Sequence, residues 1–235
     1  GAKHVLGWKS PNYVYANAID QKLRLLLRNY KLSDDIAFRF SNHEWPEFPL
    51  TAEKFAGWAQ AAGAAGDIIN LFMDYETFGE HQWESTGIFQ FMEALPDVLL
   101  SRPGFTFVTP TEAAVMFQPV ASLDVHNFMS WADAERDLTA WLGNDMQQDA
   151  ITAVYRLEEK VKASASEDLL RTWRRLQTSD HFYYMCTKWF ADGDVHSYFN
   201  PYGTPYDAYI NYMNVLADFG LTLDVPLPAA GTSRG

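Results

Sequence analysis

Asp74, Glu76, Glu80 and His81 stand at the end of an apolar run, Asp67-Ile68-Ile69-Asn70-Leu71-Phe72-Met73, interleaved with Tyr75, Phe78 and Trp83. A buried strand that runs out into acids and aromatics is the pattern of the active end of an α/β barrel. In an extended segment Asp74 and Glu76 face the same side, because the strand period is 2. An acid crowded by other acids and covered by rings holds its proton more tightly, through like-charge repulsion and desolvation. That is what a general acid for glycosidic bond cleavage requires. The plainer alternative is an acidic loop cap in which Glu76 pairs with Arg39.

A second group, Ser33-Asp34-Asp35 with Ser41-Asn42-His43-Glu44-Trp45, reads either as helix capping by Asp34 or as substrate contact through His43. In the third, Ser130 to Asn144, Trp131, Arg136, Asp137 and Trp141 mix aromatic and charged residues in a helical stretch. Sugar sites use Trp faces for stacking and carboxylates for hydroxyls; the alternative is an amphipathic stripe of Trp141 with Leu138. His43, Glu44, Asp74, Glu76, Glu80 and His81 could also supply mixed metal ligands, but no pair has the His-Glu-x-x-His spacing. Phosphate-loop and Gly-x-Ser-x-Gly patterns are absent, and the expected chemistry calls for no cofactor.

The elements that must position these residues read as alternating strands and helices up to about residue 120. Strands are expected at His4–Trp8, Ile36–Ser41, 67–74 and Phe105–Val108. Helices are expected over residues 20–30, 52–65 (capped by Thr51), Thr86–Leu100 with a kink at Pro96, and from Pro110. This is the signature of parallel βαβ units, and too few of them to close a barrel. Beyond Pro119 only helices are expected: Trp131–Leu142, Asp145–Lys162, Glu167–Leu176, Asp180–Phe190 and Pro205–Phe219. Ala191-Asp192-Gly193-Asp194 reads as loop, and Pro226 to Gly235 as a frayed tail. The expected fold is therefore α/β, with a barrel portion over 1–120 and a helical domain over 121–235.

The chain has 235 residues, 48% of them hydrophobic, so it can bury a large core. Eighteen basic against 30 acidic residues give a net charge of −12. A nucleic-acid partner or an anionic membrane surface would need the opposite balance. The single cysteine, Cys186, lies in a hydrophobic stretch and reads as a buried thiol. With no disulfide, no signal peptide and no apolar run of membrane-spanning length, a cytoplasmic protein is expected.

Met73-Asp74-Tyr75-Glu76-Thr77-Phe78-Gly79-Glu80-His81 closely resembles the fourth characteristic region of glycoside hydrolase family 57, in its α-amylase-like branch. Leu32 to Ser41 resembles the segment before it, and Glu135 to Asn144 resembles the fifth region. Asn200-Pro201-Tyr202 and Tyr206-Asp207-Ala208-Tyr209 also fit that branch. The resemblance implies a retaining α-glucan-active enzyme on an incomplete (β/α)7 barrel with a C-terminal helical domain. It assigns the acid/base to Asp74 and places Asp137 and Trp141 along the substrate, with Glu76, Glu80, His81 and Trp131 shaping the site. The family's first three regions, with a His-Gln-Pro motif and the Glu nucleophile, have no counterpart here. The chain is thus expected to be a C-terminal portion, inactive without an N-terminal portion that carries the nucleophile. The alternatives are a glucan-binding or regulatory protein without catalysis, and a metal-dependent carbohydrate deacetylase.

Overall fold

The structure, a computed structural model, describes residues 3–188 and 200–225. The end of the expected helix at 189–190, the loop 191–194 and the tail 226–235 lie outside these residues. The chain divides into two compact units, Ala2–His126 and Asn127–Gly235. It is an α/β protein: among the described residues, helices accompany one small three-stranded sheet.

In the first unit, α1 (Lys3–Leu6) precedes β1 (Val14–Asn17), which is central in the strand order β2-β1-β3. β2 (Arg24–Leu26) is antiparallel to β1, and β3 (Ser122–Leu123) is parallel to it. The Asn17 carboxamide oxygen accepts from the backbone N–H groups of Ile19 and Asp20, at 2.8 Å each, and so turns the chain from β1 into β2. Residues 24–26 are therefore strand where a helix is expected, and residues 3–6 are helix where a strand is expected.

The larger correction concerns Ile36–Ser41. Its apparent alternation belongs to the end of α2 (Tyr30–Ala37) and the turn that follows. Asn29 caps α2 by accepting from Leu32 N–H at 3.1 Å. Leu32 and Ile36, four residues apart, are both buried on one face. The polar run Ser33-Asp34-Asp35 lies inside α2, so Asp34 caps no helix start, and Asp35 pairs with Arg39 one turn on, at 2.7 Å.

α3 (Ala52–Gly63) and α4 (Ile88–Leu100) form as expected, and Thr51 caps α3 by accepting from Lys54 N–H at 3.2 Å. Their buried faces meet α2 in one core of Leu32, Ile36, Phe40, Phe55, Ile88 and Phe91. Phe91 lies edge-on to Phe40 and to Phe55, with ring centroids 5.2 and 5.8 Å away. Each such fully buried side chain contributes about 1.5–3 kcal/mol. α5 (Pro110–Met116) starts in a capping box of Thr109 with Glu112.

The expected strands 67–74 and 105–108 run without a ladder. The first is held instead by scattered bonds. Asn12 carbonyl oxygen accepts from Asp67 and Ile68 N–H at 2.9 and 3.1 Å, and Asn70 carbonyl oxygen accepts from Asn29 N–H at 2.9 Å. Gly66 is required for the approach to Asn12: a Cβ there would meet Asn12 Cβ at 2.5 Å and Asn12 O at 2.6 Å.

In the second unit, α6 (Thr139–Leu142), α7 (Asp145–Arg156), α8 (Glu158–Ala163), α9 (Glu167–Arg175), α10 (Ser179–Tyr183) and α11 (Pro205–Thr222) surround a core of Val154, Leu157, Trp173, Met185, Met213 and Leu216. Cys186 is buried, as expected. The helix expected over Trp131–Leu142 is only its last turn. Ser130 N–H donates to Arg136 carbonyl at 2.8 Å, and Ser130 hydroxyl donates to the Asp137 carbonyl, closing residues 130–137 into a loop. Asp133 and Arg136, both at φ 56°, take the left-handed conformation that a helix excludes. No helix among the described residues is long and apolar enough to cross a membrane.

Gly66→Ala should destabilise the fold by about 1–3 kcal/mol, the usual cost of forced overpacking. Gly57→Ala, in open space on α3, should be neutral or add up to about 1 kcal/mol. Urea unfolding of the two variants checks both; equal effects would contradict the close approach at Asn12.

Candidate active site

Asp74 owes its place to the segment before it. Arg28 Nε donates to Phe72 carbonyl at 2.6 Å, while its Nη2 pairs with Asp34 at 2.6 Å. Ser33 Oγ accepts from Phe72 N–H at 3.2 Å, and Asn70 Nδ2 donates to Leu27 carbonyl at 2.9 Å. Deeper still, Asn29 Nδ2 donates to Asn12 Oδ1 at 2.9 Å and Asn12 Nδ2 donates to Ala62 carbonyl at 3.0 Å. Asn12, Asn29 and Asn70 are all buried, and satisfied buried amides of this kind fix one geometry.

The chain leaves the segment at Asp74 into a single 3-10 turn, Tyr75–Thr77. The period-2 argument that placed Asp74 and Glu76 on one face therefore does not apply. Glu76 carbonyl accepts from the N–H groups of Glu80 and His81 at 3.3 and 3.1 Å, and Thr77 carbonyl accepts from Gln82 N–H at 2.9 Å. Gly79 allows this fold-back with φ 106°. Gln82 is buried and its Nε2 donates to Ala37 carbonyl at 3.0 Å, tying the turn to the end of α2. Its Oε1 has no partner among the described residues.

Asp74 is exposed and makes no side-chain capping bond. The rings expected to cover it do not: Tyr75 is 94% exposed and Trp83 is 65% exposed. Glu80 and His81 are exposed as well, and Glu76 is half-buried. Arg39, the alternative partner of Glu76, is bonded to Asp35. His43 stacks on Phe48, centroids 4.2 Å apart, and Trp45 packs edge-on against Trp58 at 5.8 Å. Among the described residues no three His, Cys, Asp or Glu side chains gather to hold a metal ion. An apolar cavity of about 410 Å³ lies beneath the turn, walled by Leu71, Phe72, Met73 and Phe78 together with Ile36 and Met92.

Trp131, Asp137 and Trp141 belong to the second unit, and there they are neighbours. Trp131 and Trp141 meet edge-to-face, centroids 5.7 Å apart at 86°. Tyr183 completes the group, 5.7 Å from Trp141 and 6.4 Å from Trp131. Trp131 remains 66% exposed, so the trio offers an open aromatic face. The Asp137 carboxylate accepts from Thr139 hydroxyl at 2.6 Å and from Thr139 N–H at 2.9 Å. These bonds, hydroxyl first, hold its carboxyl below the usual value of 3.8. Lys188 bonds Thr139 Oγ1 at 2.6 Å and pairs with Asp133 and Glu135 at 3.2 Å each. Burial draws the Lys188 ammonium down, but Glu135 and Asp133 outweigh it and leave it above the ordinary lysine value.

Gln147 holds this group in place. It is fully buried; Nε2 donates to Ala140 carbonyl at 2.8 Å and Phe182 carbonyl at 2.9 Å, so α6 and α10 are locked together beneath Trp141 and Tyr183. Its Oε1 accepts from Gly143 and Asn144 N–H at 2.8 and 3.1 Å. Tyr183 and Gln147 are absent from the sequence expectation. The Asn144-x-x-Gln147 capping box was a readable signal for Gln147; Tyr183 has none, since its neighbours make it look like core.

A sequence model of glycosyl hydrolase family 57 matches residues 1–126, just over half of the chain. A protein of Methanocaldococcus jannaschii named "Putative alpha-amylase" is 42% identical over 229 residues, which cover 93% of this chain and 48% of that relative. The chain thus spans about half the length of the curated relative it matches. No solved structure matches it.

Because the folded Asp137 carboxyl lies below its ordinary value, its contribution to stability is present above pH 3.8 and is lost as the pH falls through the depressed value. Thr139→Val should move the Asp137 titration upward when followed by carboxyl NMR. An unmoved titration would contradict the role of the Thr139 hydroxyl.

Proposed function

This chain belongs to glycosyl hydrolase family 57, and from that premise we propose that it is the acid/base-bearing part of a retaining α-amylase-like enzyme acting on α-1,4-glucans. Asp74 protonates the glycosidic oxygen as the bond to the anomeric carbon breaks. It then takes the proton from the attacking water, or from an acceptor sugar if the outcome is transfer. The observation that carries the reading is the exposed, uncapped Asp74 carboxyl at the end of a segment pinned by Asn29, Arg28 and Ser33.

The second carboxylate of a retaining pair sits roughly 5–5.5 Å from the first. We assign it to an N-terminal portion of the same protein, which would also complete the (β/α)7 barrel around residues 1–120 and cover Tyr75 and Trp83. Enclosure of Asp74 would then come from assembly rather than from this chain. The helical second unit, Asn127–Gly235, would supply an aromatic face for the glucan. Trp131 and Trp141 would stack on the apolar sides of glucose rings, and Asp137 would accept from a sugar hydroxyl with the oxygen that Thr139 leaves open. Glu76, Glu80 and His81 would border the substrate on the Asp74 side. No cofactor enters these steps.

In the protein reassembled with its N-terminal portion, Asp74→Asn should lower kcat on maltooligosaccharides by about 10²–10⁴-fold, the range for general acid–base catalysis. Trp141→Ala should act mainly on KM. Unchanged turnover in Asp74→Asn would remove the acid/base assignment. Without that portion the chain should bind maltooligosaccharide and release no reducing sugar; steady release would contradict the two-part site.

A further inference from the structure

The helical unit holds a second sugar-sized feature that the reading above leaves unused. Between α10 and α11 lies a cavity of about 180 Å³, lined by His181, Tyr184, Tyr202, Asn211 and Tyr212 with the aliphatic Leu176 and Val215. That is the space of about six liquid waters, the size class of one pyranose ring. Tyr184 and Tyr202 meet at 62° with centroids 6.1 Å apart, giving it two ring walls at an angle. Tyr212 is committed elsewhere, its hydroxyl donating to Leu176 carbonyl at 2.7 Å. The hydroxyls of Tyr184 and Tyr202 have no hydrogen-bond partner among the described residues.

We propose that this cavity is a second α-glucan site, distinct from the Trp131–Trp141–Tyr183 face, that holds one glucose unit of a bound chain. The proposal rests on the α-glucan reading and extends it to a separate place on the same unit. The lining selects the ligand class. Ring walls suit the C–H face of a pyranose, and a few convergent polar groups suit its hydroxyls. Asn211 is exposed and its Nδ2 donates to the Asp207 carbonyl at 2.8 Å, so it offers the cavity its Oδ1 as an acceptor. His181 Nε2 lies 3.2 Å from Arg175 carbonyl, an atom that can only accept, so in the neutral ring Nδ1 is an acceptor. Among the described residues no Lys or Arg lines the cavity, and Asp180 acts electrostatically on Tyr184, which disfavours phosphate and carboxylate ligands. A wholly apolar ligand would leave the two tyrosyl hydroxyls without a partner on it. A neutral polyhydroxylated ring satisfies all of these. Tyr183 and Tyr184 are consecutive, so α10 delivers one ring to the exposed aromatic face and the next to the cavity. Two anchoring points on one unit suit a polymeric substrate, because a tethered chain engages the second at high effective concentration.

The test is calorimetric titration of the chain with maltoheptaose, comparing wild type, Trp131→Ala, and Trp131→Ala combined with either Tyr202→Ala or Asn211→Ala. Asn211 is exposed, so its variant leaves the core intact, whereas Tyr202 packs against that core; circular dichroism checks both. The proposal expects Trp131→Ala to keep measurable binding and each added cavity substitution to weaken it about tenfold. If Trp131→Ala alone abolishes binding, or if neither cavity substitution changes what remains, the second site is overturned and the α-glucan reading stands. If wild type binds no maltoheptaose at all, the α-glucan reading falls and the cavity proposal falls with it.

Discussion

The first unit depends on a buried amide relay: Ala62 carbonyl to Asn12, Asn12 to Asn29, Asn29 backbone to Asn70. A run such as 67–73 ordinarily takes its place from strands on either side. Here the three asparagines, with Arg28 and Ser33, do that work one bond at a time. Each buried amide left unpaired would cost about 1–3 kcal/mol, so the relay favours one register of the segment over its slipped alternatives. Asp74 inherits that register, because the chain turns at Asp74 itself.

The second unit solves the same problem with one side chain. Gln147 satisfies four backbone groups from α6, the start of α7 and α10. Trp141 and Tyr183 come to lie 5.7 Å apart as a consequence. Thr139 then shares its hydroxyl and N–H with Asp137 while Lys188 approaches from the other side. In both units, buried amides position exposed groups.

The helices with strong caps or long apolar stripes were legible in the sequence. Thr51 and α3, α4, and the C-terminal α11 fall where periodicity puts them. Failures occurred where local signals compete. Asp34 looks like a helix cap, yet Asn29 starts the helix five residues before it and the Asp35–Arg39 pair supports that helix. Ser130 to Leu138 carries a helical pattern but closes through Ser130 and Arg136, which no periodicity reveals. β1 was invisible because Val14-Tyr15-Ala16 is short, and its partner β3 lies more than a hundred residues on. At the candidate site the sequence singles out the acids and the tryptophans as candidates. It did not reveal that Asp74 would stand uncovered, because covering depends on what packs against Tyr75 and Trp83 and not on their being adjacent.

Each unit thus holds an exposed group on a hydrogen-bonded support: Asp74 in the first, the Trp131–Trp141–Tyr183 face in the second. Nuclear magnetic resonance of the first products formed from maltoheptaose by the assembled protein tests the proposed retaining mechanism most directly, since it reads bond type, cleavage and stereochemistry together. New reducing ends that appear first as the α-anomer are the predicted result. Ends that appear first as the β-anomer, or no cleavage by the assembled protein, would contradict it.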